Sequence, residues 1–591
     1  MNELLHPNPQ FARQHWVDLC GTWGFSYDDD DLGRDAHWPR RADVFGRTIT
    51  VPFPPESAAS GIHDPSHHPI VWYRRTFMMD RNDRSQRVIL HFGAVDYTAA
   101  VWVNGRLVTR HEGGHTPFRA DITNELVDGA EQVIVVRAED QPLDMGQPRG
   151  KQDWLPDPHV IWYHRTTGIW QPVWIEVVNT HHLASLRWTP DLHHATLGLA
   201  VRLSRAPVQP LTLRVRLSLH GTLLIDDACS IQHKDLARDF VLPINELAMQ
   251  MHAVIWSPEQ PNLIDAELTL MDGNRVLDTV QSYAGLRSVG IDNGRFHLNG
   301  RPYYLRSVLE QGYWPESCLV APSPDALKQE VEWIKALGFN SVRIHQKVED
   351  PRFLYWCDRL GLTVWGEMAN SYIFTWESAE RLTREWIDVL KRDYSHPCIV
   401  TWVPVNESWG VPSLAQDSRQ REHLRSLYAL TKTFDPTRPV IDNDGWEHTR
   451  TDIISIHDYA RVGATLRERY GSDDALRQIV ETGRPLHWPP LLAEHDVPPG
   501  APIMLTEFGG ISYAPEPGTK WYGYGTVTTP QEYVDKLREL FGAIVACPGI
   551  AGFCYTQLTD TEQETNGLLT EAREPKFDVA AIHAIVSMIA D

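Results

Sequence analysis

Two glutamates each follow an apolar run in the C-terminal half of the chain. Residues 399–405 are continuously apolar and rich in β-branched and aromatic side chains, and they lead directly to Asn406 and Glu407. A second run, residues 502–506, leads to Glu507. Buried strands of a parallel sheet have this composition, and α/β barrels keep their chemistry at the carboxyl ends of such strands. The pattern therefore predicts two carboxyl groups at one rim of a barrel.

A pair of carboxyl groups about 5 Å apart is what a retaining glycosidase needs. One carboxylate attacks the anomeric carbon, and the other protonates the leaving oxygen and then deprotonates a water molecule. In this interpretation Glu507 is the nucleophile and Glu407 is the acid and base. We expect crowding by the second carboxylate, together with the rings of Trp402 and Trp409, to raise the pKa of Glu407.

The elements that must position this pair alternate between strand-like and helix-like stretches from residue 284 onward. Strands are predicted at residues 303–308, 341–344, 362–365, 399–405, 440–441, 453–456, 503–506 and 550–555. Helices are predicted at 324–337 and 351–360, and each is followed by a glycine, which is a common helix stop. Eight strands with intervening helices predict a (β/α)8 TIM barrel.

The first half of the chain lacks helical periodicity. Residues 1–180 contain short alternating runs separated by turn signals such as Asn104-Gly105, which predicts an all-β sandwich or jelly roll. Residues 181–283 alternate cleanly, for instance over 211–219, and fit an immunoglobulin-like β-sandwich. The chain is therefore predicted to be multidomain, with the barrel occupying residues 284–591.

Composition limits the partners. The 591 residues carry a formal net charge of −22, which argues against nucleic acid and anionic membranes as partners. There is no apolar run long enough to span a membrane. The N-terminus lacks a basic segment followed by an apolar one, so we expect a cytoplasmic protein, or a periplasmic or secreted one if a signal was removed. The seven widely spaced cysteines indicate reduced thiols.

One motif imitates a metal site. Residues 111–115 read His-Glu-Gly-Gly-His and satisfy the zinc-protease pattern. That pattern needs a helix to place both histidines on one face, and two central glycines disfavour a helix. We therefore expect no zinc here, and no metal or organic cofactor elsewhere.

Several segments resemble glycoside hydrolase family 2, which contains β-galactosidases, β-mannosidases and β-glucuronidases. The segments are VWYRR at 71–75, GIWQPVW at 168–174, NSVRIH at 340–345, VWGE at 364–367 and Asn406-Glu407. The resemblance covers nearly the whole length. It implies a jelly-roll sugar-binding domain, an immunoglobulin-like domain and a catalytic barrel, in the order that the strand patterns predict. It also implies an enzyme that hydrolyses glycosidic bonds, and family members are often dimers or tetramers.

The resemblance also implies roles for individual residues. Glu407 is expected to be the acid and base, and Glu507 the nucleophile. Asn406 is expected to bind the 2-hydroxyl of the sugar in the −1 subsite, the position of the ring whose bond is cleaved. Tyr459 is expected to support the nucleophile. Arg343 is expected to hold Glu507 ionised, because a neighbouring cation favours the charged carboxylate.

Further candidates for substrate contact lie at predicted strand tips or in the loops that follow them. They are Glu310, Gln311, Gln346, Glu367, Trp409, Asp458, Trp521 and Gln557.

The identity of the sugar stays open. The β-glucuronidases of the family bind the substrate carboxylate with an Asn-x-Lys motif, which residues 564–566 lack. Gln311 and Gln346 occupy positions where the large β-galactosidases carry histidines. The first choice is an exo-acting β-galactosidase-like enzyme with a small carbohydrate or glycoside substrate. Alternatives are an arabinosidase, a mannosidase, a galacturonidase or glucuronidase using Arg343 and Lys347, and a carbohydrate-binding protein without activity.

Overall fold

A computed structural model describes residues 5–79, 86–243, 253–482, 492–496, 498, 500–514 and 523–588. Three units follow one another along the chain, each with its own hydrophobic core. The first core runs from Leu19 to Ile175, the second from Leu183 to Leu286, and the third lies within the barrel. The proposed domain boundaries at residues 180 and 283 lie close to the positions where one hydrophobic core ends and the next begins.

The first unit is all-β. Its strands are β1 (Trp16–Asp18), β2 (Gly21–Tyr27), β3 (Arg47–Val51), β4 (Ile70–Met78), β5 (Gln86–Phe92), β6 (Val95–Asp96), β7 (Thr98–Val103), β8 (Arg106–Glu112), β9 (Phe118–Asp121), β10 (Glu131–Glu139), β11 (Gly168–Ile169) and β12 (Val173–Asn179). They form antiparallel sheets in the orders β1-β12-β5-β9 and β3-β2-β4-β10-β7-β8, with β11 paired to β6. Apolar faces of the two large sheets share one core, as in a jelly roll.

The second unit is a seven-stranded sandwich. Its strands are β13 (Leu183–Asp191), β14 (Thr196–Leu203), β15 (Leu211–Leu219), β16 (Thr222–Ile231), β17 (Asp235–Val241), β18 (Ile264–Asp272) and β19 (Arg275–Ala284). The sheet orders are β13-β14-β17 and β16-β15-β18-β19. Every second residue of β15 is buried, which fixes the face that each strand turns to the core. The arrangement confirms the immunoglobulin-like prediction.

The third unit begins with a small antiparallel sheet of β20 (Val289–Asp292), β21 (Arg295–Leu298) and β22 (Arg301–Pro302). Seven parallel strands follow in the order β26-β25-β24-β23-β33-β30-β28. They are β23 (Leu305–Glu310), β24 (Ser341–Ile344), β25 (Thr363–Glu367), β26 (Ile399–Val403), β28 (Ile454–Asp458), β30 (Ile503–Gly509) and β33 (Ile550–Thr556). Short strands β27 (His448–Arg450), β29 (Leu492–Asp496), β31 (Ile511–Tyr513) and β32 (Gly525–Val527) pair outside this sheet.

The described helices of this unit are α1 (Pro324–Ala336), α2 (Pro351–Leu360), α3 (Trp376–Asp393), α4 (Ser418–Phe434), α5 (Gly463–Tyr470), α6 (Asp473–Thr482), α7 (Pro530–Val545) and α8 (Val579–Val586). Helix α2 has the predicted bounds, because Asp350 caps its first turn and Gly361 ends it in the left-handed conformation. No helix of the described residues is long and apolar enough to cross a lipid bilayer.

The predicted fifth barrel strand is irregular. Residues 440–441 form no regular strand, but the backbone of this segment pairs in parallel with β26 and its extension. Bridges join Trp402 to Val440 and Asn406 to Asp444, and the N–H of Asp452 donates to the carbonyl of Val440 at 2.9 Å. The segment therefore occupies the position between β26 and β28 that closes the barrel.

The N-terminal segment joins the first unit to the second. Ala12 forms a bridge with Gln281 of β19. The buried Arg13 guanidinium donates to Glu176 at 2.6 Å, to Asp278 at 2.9 Å and to the carbonyl of Leu183 at 2.6 Å. Buried charges need this degree of pairing, because each loses its hydration. Arg13 therefore holds the two β units together.

We expect Arg13→Ala to lower the free energy of unfolding of the linked β units by about 3 kcal/mol, because it leaves Glu176 and Asp278 buried without their shared cation. The midpoint of urea unfolding measures this loss. Arg202→Ala is the matched control, since its pair with Asp235 is exposed, and it is expected to leave the midpoint unchanged. Equal midpoints for both variants would contradict the role of Arg13.

Candidate active site

The two glutamates singled out by the sequence lie at the carboxyl end of the barrel. Glu507 belongs to β30, and Glu407 follows β26. A carboxylate oxygen of each and a ring nitrogen of His457 lie within 4.8 Å of one another. The Glu507 residue is 5% exposed and the Glu407 side chain 16% exposed. Both carboxylates therefore share one partly enclosed space.

Glu407 sits in a strained turn. Its backbone φ of 50° lies in the left-handed region, which costs a non-glycine residue about 1–3 kcal/mol. The turn is held in place because the N–H of Glu407 donates to the carbonyl of Asp444 at 3.0 Å, and that of Trp409 donates to Asn406 at 2.9 Å. The pairing that completes the barrel thus also fixes the direction of this carboxylate.

Glu507 is held by a buried arginine. The Arg343 side chain is 0% exposed and its Nη1 donates to Oε1 of Glu507 at 2.9 Å. The same guanidinium contacts Glu367 at 2.7 Å, Asp444 at 2.7 Å and Oδ1 of Asn406 at 2.7 Å. Burial raises the pKa of Asp444, but the charge of Arg343 and the hydrogen bond with His457 outweigh burial and lower it.

Tyr459 contacts the other oxygen of Glu507. Its hydroxyl donates to Oε2 at 2.5 Å and lies 3.3 Å from the hydroxyl of Thr556. The Tyr459 ring stacks on Tyr524 with a centroid separation of 3.5 Å. Burial and the charge of Glu507 raise the pKa of Tyr459, so its hydroxyl stays a proton donor.

His457 links three carboxylates and was not singled out by the sequence. Its Nδ1 lies 2.7 Å from Oε1 of Glu407, and its Nε2 lies 3.2 Å from Asp444 and 3.4 Å from Glu507. Burial lowers the pKa of His457, but the Glu507 charge and the hydrogen bonds with Asp444 and Glu407 outweigh it and raise the pKa to about 10. The ring is therefore an imidazolium at neutral pH.

The prediction that the pKa of Glu407 is raised is wrong. Burial raises this pKa, but the hydrogen bond with His457 and the imidazolium charge outweigh burial, so the pKa is lowered. Trp402 does not form a wall beside the carboxylate. It is fully buried in the barrel core, and its indole N–H donates to Asp435 at 2.8 Å.

The predicted amide side chains lie around the same rim. Asn406 is fully buried and, among the described residues, nothing pairs with its amide nitrogen. Both polar side-chain atoms of Gln346 and of Asn566 are likewise without a described partner. Nε2 of Gln311 donates to Oε1 of Gln557 at 2.7 Å. Buried amides without partners are rare in proteins, and a ligand rich in hydroxyl groups would satisfy them.

Three predicted contact residues have oxygens that bind protein donors. Glu367 accepts from Arg343 and from the N–H of Gln346. Asp458 accepts from Arg469 and Tyr470, each at 2.7 Å. Glu310 accepts from the N–H of Gly312 and lies 3.7 Å from Arg573. These contacts hold the three carboxylates at the rim, and their contact with substrate stays a prediction.

Arg343 and Lys347, the two cations proposed to bind a uronic acid, are both bound by protein groups. Arg343 is occupied by the contacts described above, and Lys347 pairs with Glu349 and with the carbonyl of Gly312. Trp521, a further predicted contact, lies outside the described residues.

Aromatic rings from two domains flank Glu407. Trp409 lies 5.6 Å from Trp162, 5.0 Å from Tyr372 and 6.3 Å from Trp446, measured between ring centroids. Trp162 comes from the first unit and also packs against Trp154 at 4.9 Å. A cavity of about 470 Å³ lies beside this cluster and is lined by Glu407, Trp409, Trp446, Tyr459 and Tyr524, among others.

The zinc-like motif has other contacts. His111 lies in strand β8, and its ring stacks on that of Phe118, the first residue of β9. Glu112 accepts from Arg381 at 2.8 Å, and His115 is buried. The described residues hold no cluster of metal ligands that includes these three side chains.

Three models of one protein family match the chain in succession. Residues 17–145 match the sugar-binding domain of family 2 glycosyl hydrolases, residues 181–287 match the second family 2 domain, and residues 289–509 match the family 2 TIM-barrel domain.

Curated relatives carry two different names. The β-glucuronidase of Paenibacillus borealis is 24% identical over 616 residues, which cover 97% of each chain. The β-galactosidase of Thermoanaerobacter pseudethanolicus is 28% identical over 349 residues, which cover 57% of this chain and 45% of that protein. The chain thus spans less than half the length of this β-galactosidase and of that from Pectobacterium atrosepticum, of which 44% is matched.

Solved structures share the fold over the whole chain. A β-glucuronidase from Bifidobacterium dentium, complexed with coumarin-3-O-glucuronide, superposes with a TM-score of 0.79 at 20% identity and 98% coverage of both chains. A β-galacturonidase from Eisenbergiella tayi, bound to galacturonate, gives a TM-score of 0.75 at 18% identity and covers 100% of both chains. With three successive domain matches and this shared architecture, the chain belongs to glycoside hydrolase family 2.

Proposed function

We propose that this protein is a retaining exo-β-glycosidase that removes a terminal sugar by double displacement. The observation that carries the proposal is the proximity of the Glu407 and Glu507 carboxylate oxygens, within 4.8 Å of each other. Retaining enzymes hold their carboxyl groups about 5 Å apart, whereas inverting enzymes need room for a water molecule between them. An organic cofactor is not required for this chemistry.

Glu507 is the proposed nucleophile. Arg343 and Tyr459 each bind one of its oxygens, which fixes the orientation of the carboxylate. Attack on the anomeric carbon forms a glycosyl ester and breaks the bond to the leaving oxygen. Asn406, whose amide nitrogen has no partner among the described residues, is proposed to donate to the 2-hydroxyl during this step.

Glu407 is the proposed acid and base, with His457 as its proton reservoir. The pair carries one proton at neutral pH, and the 2.7 Å hydrogen bond lets this proton move from Nδ1 of His457 to Glu407 and on to the leaving oxygen. In the second step Glu407 takes a proton from the attacking water, and the ester to Glu507 is released.

The carbohydrate bound in the −1 subsite is either a neutral sugar or a uronic acid. The galactoside prediction remains open, since relatives named β-galactosidase and β-glucuronidase both match. The arabinoside and mannoside alternatives and the inactive carbohydrate-binding protein also remain to be tested. A cytoplasmic location and a homo-oligomer stay predictions.

We expect a 2-deoxy-2-fluoro β-glycosyl fluoride of the preferred sugar to label Glu507, because the fluorine on C2 slows both steps while the fluoride leaving group speeds only formation of the ester. Peptide mass spectrometry of the wild-type protein locates the adduct. Glu507→Gln is the control and should remain unlabelled. An adduct on a different residue would show that the nucleophile is misassigned.

Glu407→Ala is expected to reduce kcat/KM for an unactivated alkyl glycoside by about 1,000-fold, since that leaving group needs a proton. The loss for a dinitrophenyl glycoside should be far smaller. Asp458→Asn, which changes a carboxylate of the same cavity, should reduce both rates by a similar factor. Equal losses for both aglycones in Glu407→Ala would contradict the acid role.

His457 should make stability depend on pH. Because its folded-state pKa is raised from 6.5 to about 10, protonation stabilises the fold fully below pH 6.5, and this contribution is lost as pH rises towards 10. We expect the difference in melting temperature between wild type and His457→Gln to shrink steadily from pH 6.5 to 10. A difference that does not vary with pH would argue against a buried imidazolium.

A further inference from the structure

A lysine from the first domain reaches the rim of the barrel. Lys151 follows Gly150 in the loop between β10 and β11. Gly150 adopts φ +61° and packs so closely on the carbonyl of Gln346 that a side chain would clash with it. Its N–H donates to the carbonyl of Asn370 at 3.1 Å, and the Tyr372 hydroxyl donates to its carbonyl. The loop is therefore pinned against the barrel beside the site.

The Lys151 ammonium has no close counter-charge. The residue is 7% exposed, and its Nζ lies 5.7 Å from the centroid of the Tyr163 ring. Among the described residues, no carboxylate oxygen lies within 4.0 Å of Nζ and no acceptor hydrogen-bonds to it. A buried ammonium that is not paired costs several kcal/mol, so its position calls for a ligand.

The charges of the catalytic carboxylates act on Lys151. Burial lowers its pKa, while the charges of Glu564, Glu407 and Glu507 act in the opposite direction. Glu564 is itself engaged, because it accepts a hydrogen bond from the Tyr163 hydroxyl. The loop that carries Lys151 is thus pinned at the barrel rim, and none of these carboxylates forms an ion pair with its Nζ.

Three other cations near the site are already paired, and Arg461, which lines the cavity beside Glu407, is exposed to solvent. Arg343 contacts three carboxylates, Lys347 pairs with Glu349, and Arg469 binds Asp458 at 2.7 Å. Of these cations, Lys151 is the one that is buried and forms no ion pair among the described residues. A sugar hydroxyl can accept its hydrogen bond but cannot neutralise it, whereas a carboxylate does both.

We propose that Lys151 binds the carboxylate on C5 of the sugar in the −1 subsite, so that the substrate is a β-linked uronide. The assignment rests on the proposed glycosidase function and names its substrate class. The free side-chain amides of Gln346 and Asn566 would provide further donors at the same rim. Lys151 would thus replace the Asn-x-Lys cation that residues 564–566 lack.

The test compares nitrophenyl β-galacturonide and β-glucuronide with the matching galactoside and glucoside. Wild type is expected to prefer a uronide, and Lys151→Met should lower the ratio of uronide to neutral-sugar kcat/KM by about 100-fold. Lys151→Arg should retain part of this ratio. Lys347→Met, which removes a buried lysine that is already paired, should lower the melting temperature and leave the ratio unchanged.

Two outcomes overturn the assignment while leaving a glycosidase: a wild-type preference for a neutral sugar, or a uronide preference that survives in Lys151→Met. If no glycoside of the panel is cleaved and no fluorosugar adduct forms on Glu507, the proposed function fails separately. Calorimetric titration with free galacturonate, glucuronate, galactose and glucose then decides whether Lys151 binds the carboxylate of a uronate. Tighter binding of a uronate than of its neutral counterpart in wild type, lost in Lys151→Met, supports the lysine role, and equal binding overturns it.

Discussion

The site depends on one buried guanidinium. Arg343 comes from β24 and binds Glu367 at the end of β25, Asp444 in the irregular fifth segment and Glu507 in β30. Each of these groups is removed from water, and a buried ion without a partner costs several kcal/mol. The register of four barrel segments is therefore tied to a single side chain. The contacts that tie these barrel segments together are therefore also the contacts that position the proposed nucleophile.

This network leaves an excess of negative charge. Four carboxyl groups surround two cations, namely Glu367, Glu407, Asp444 and Glu507 around Arg343 and His457, so the formal balance is −2. His457 limits the repulsion by lying between three of the carboxylates. A cation supplied from outside the barrel offsets part of the remainder, and Lys151 acts on Glu407 in this way. The first domain thus contributes to the electrostatics of a site built mainly by the third.

Sequence patterns predicted the elements and residues that a run of neighbouring side chains reveals. Apolar runs located β26 and β30, and with them Glu407 and Glu507. The fifth strand failed as a regular element because its apolar run is only two residues long and pairs through single bridges. His457 and Lys151 had no local signal, since their contacts form only when distant segments meet. The predicted rise of the Glu407 pKa through crowding by Glu507 and the tryptophan rings is wrong for this reason, because the neighbouring imidazolium lowers the pKa.

Recognition and chemistry are divided between domains. The barrel strands hold the two carboxylates of the proposed reaction rigidly, which such chemistry requires. The first domain contributes the unpaired Lys151 and the rings of Trp154 and Trp162, all carried on one segment between β10 and β11. Loops tolerate substitution better than strands that share a buried charge network. Substitutions that change the sugar or aglycone preference are therefore expected to cost less stability in this segment than at the barrel rim. A new side chain at the rim would disturb Arg343 and its partners.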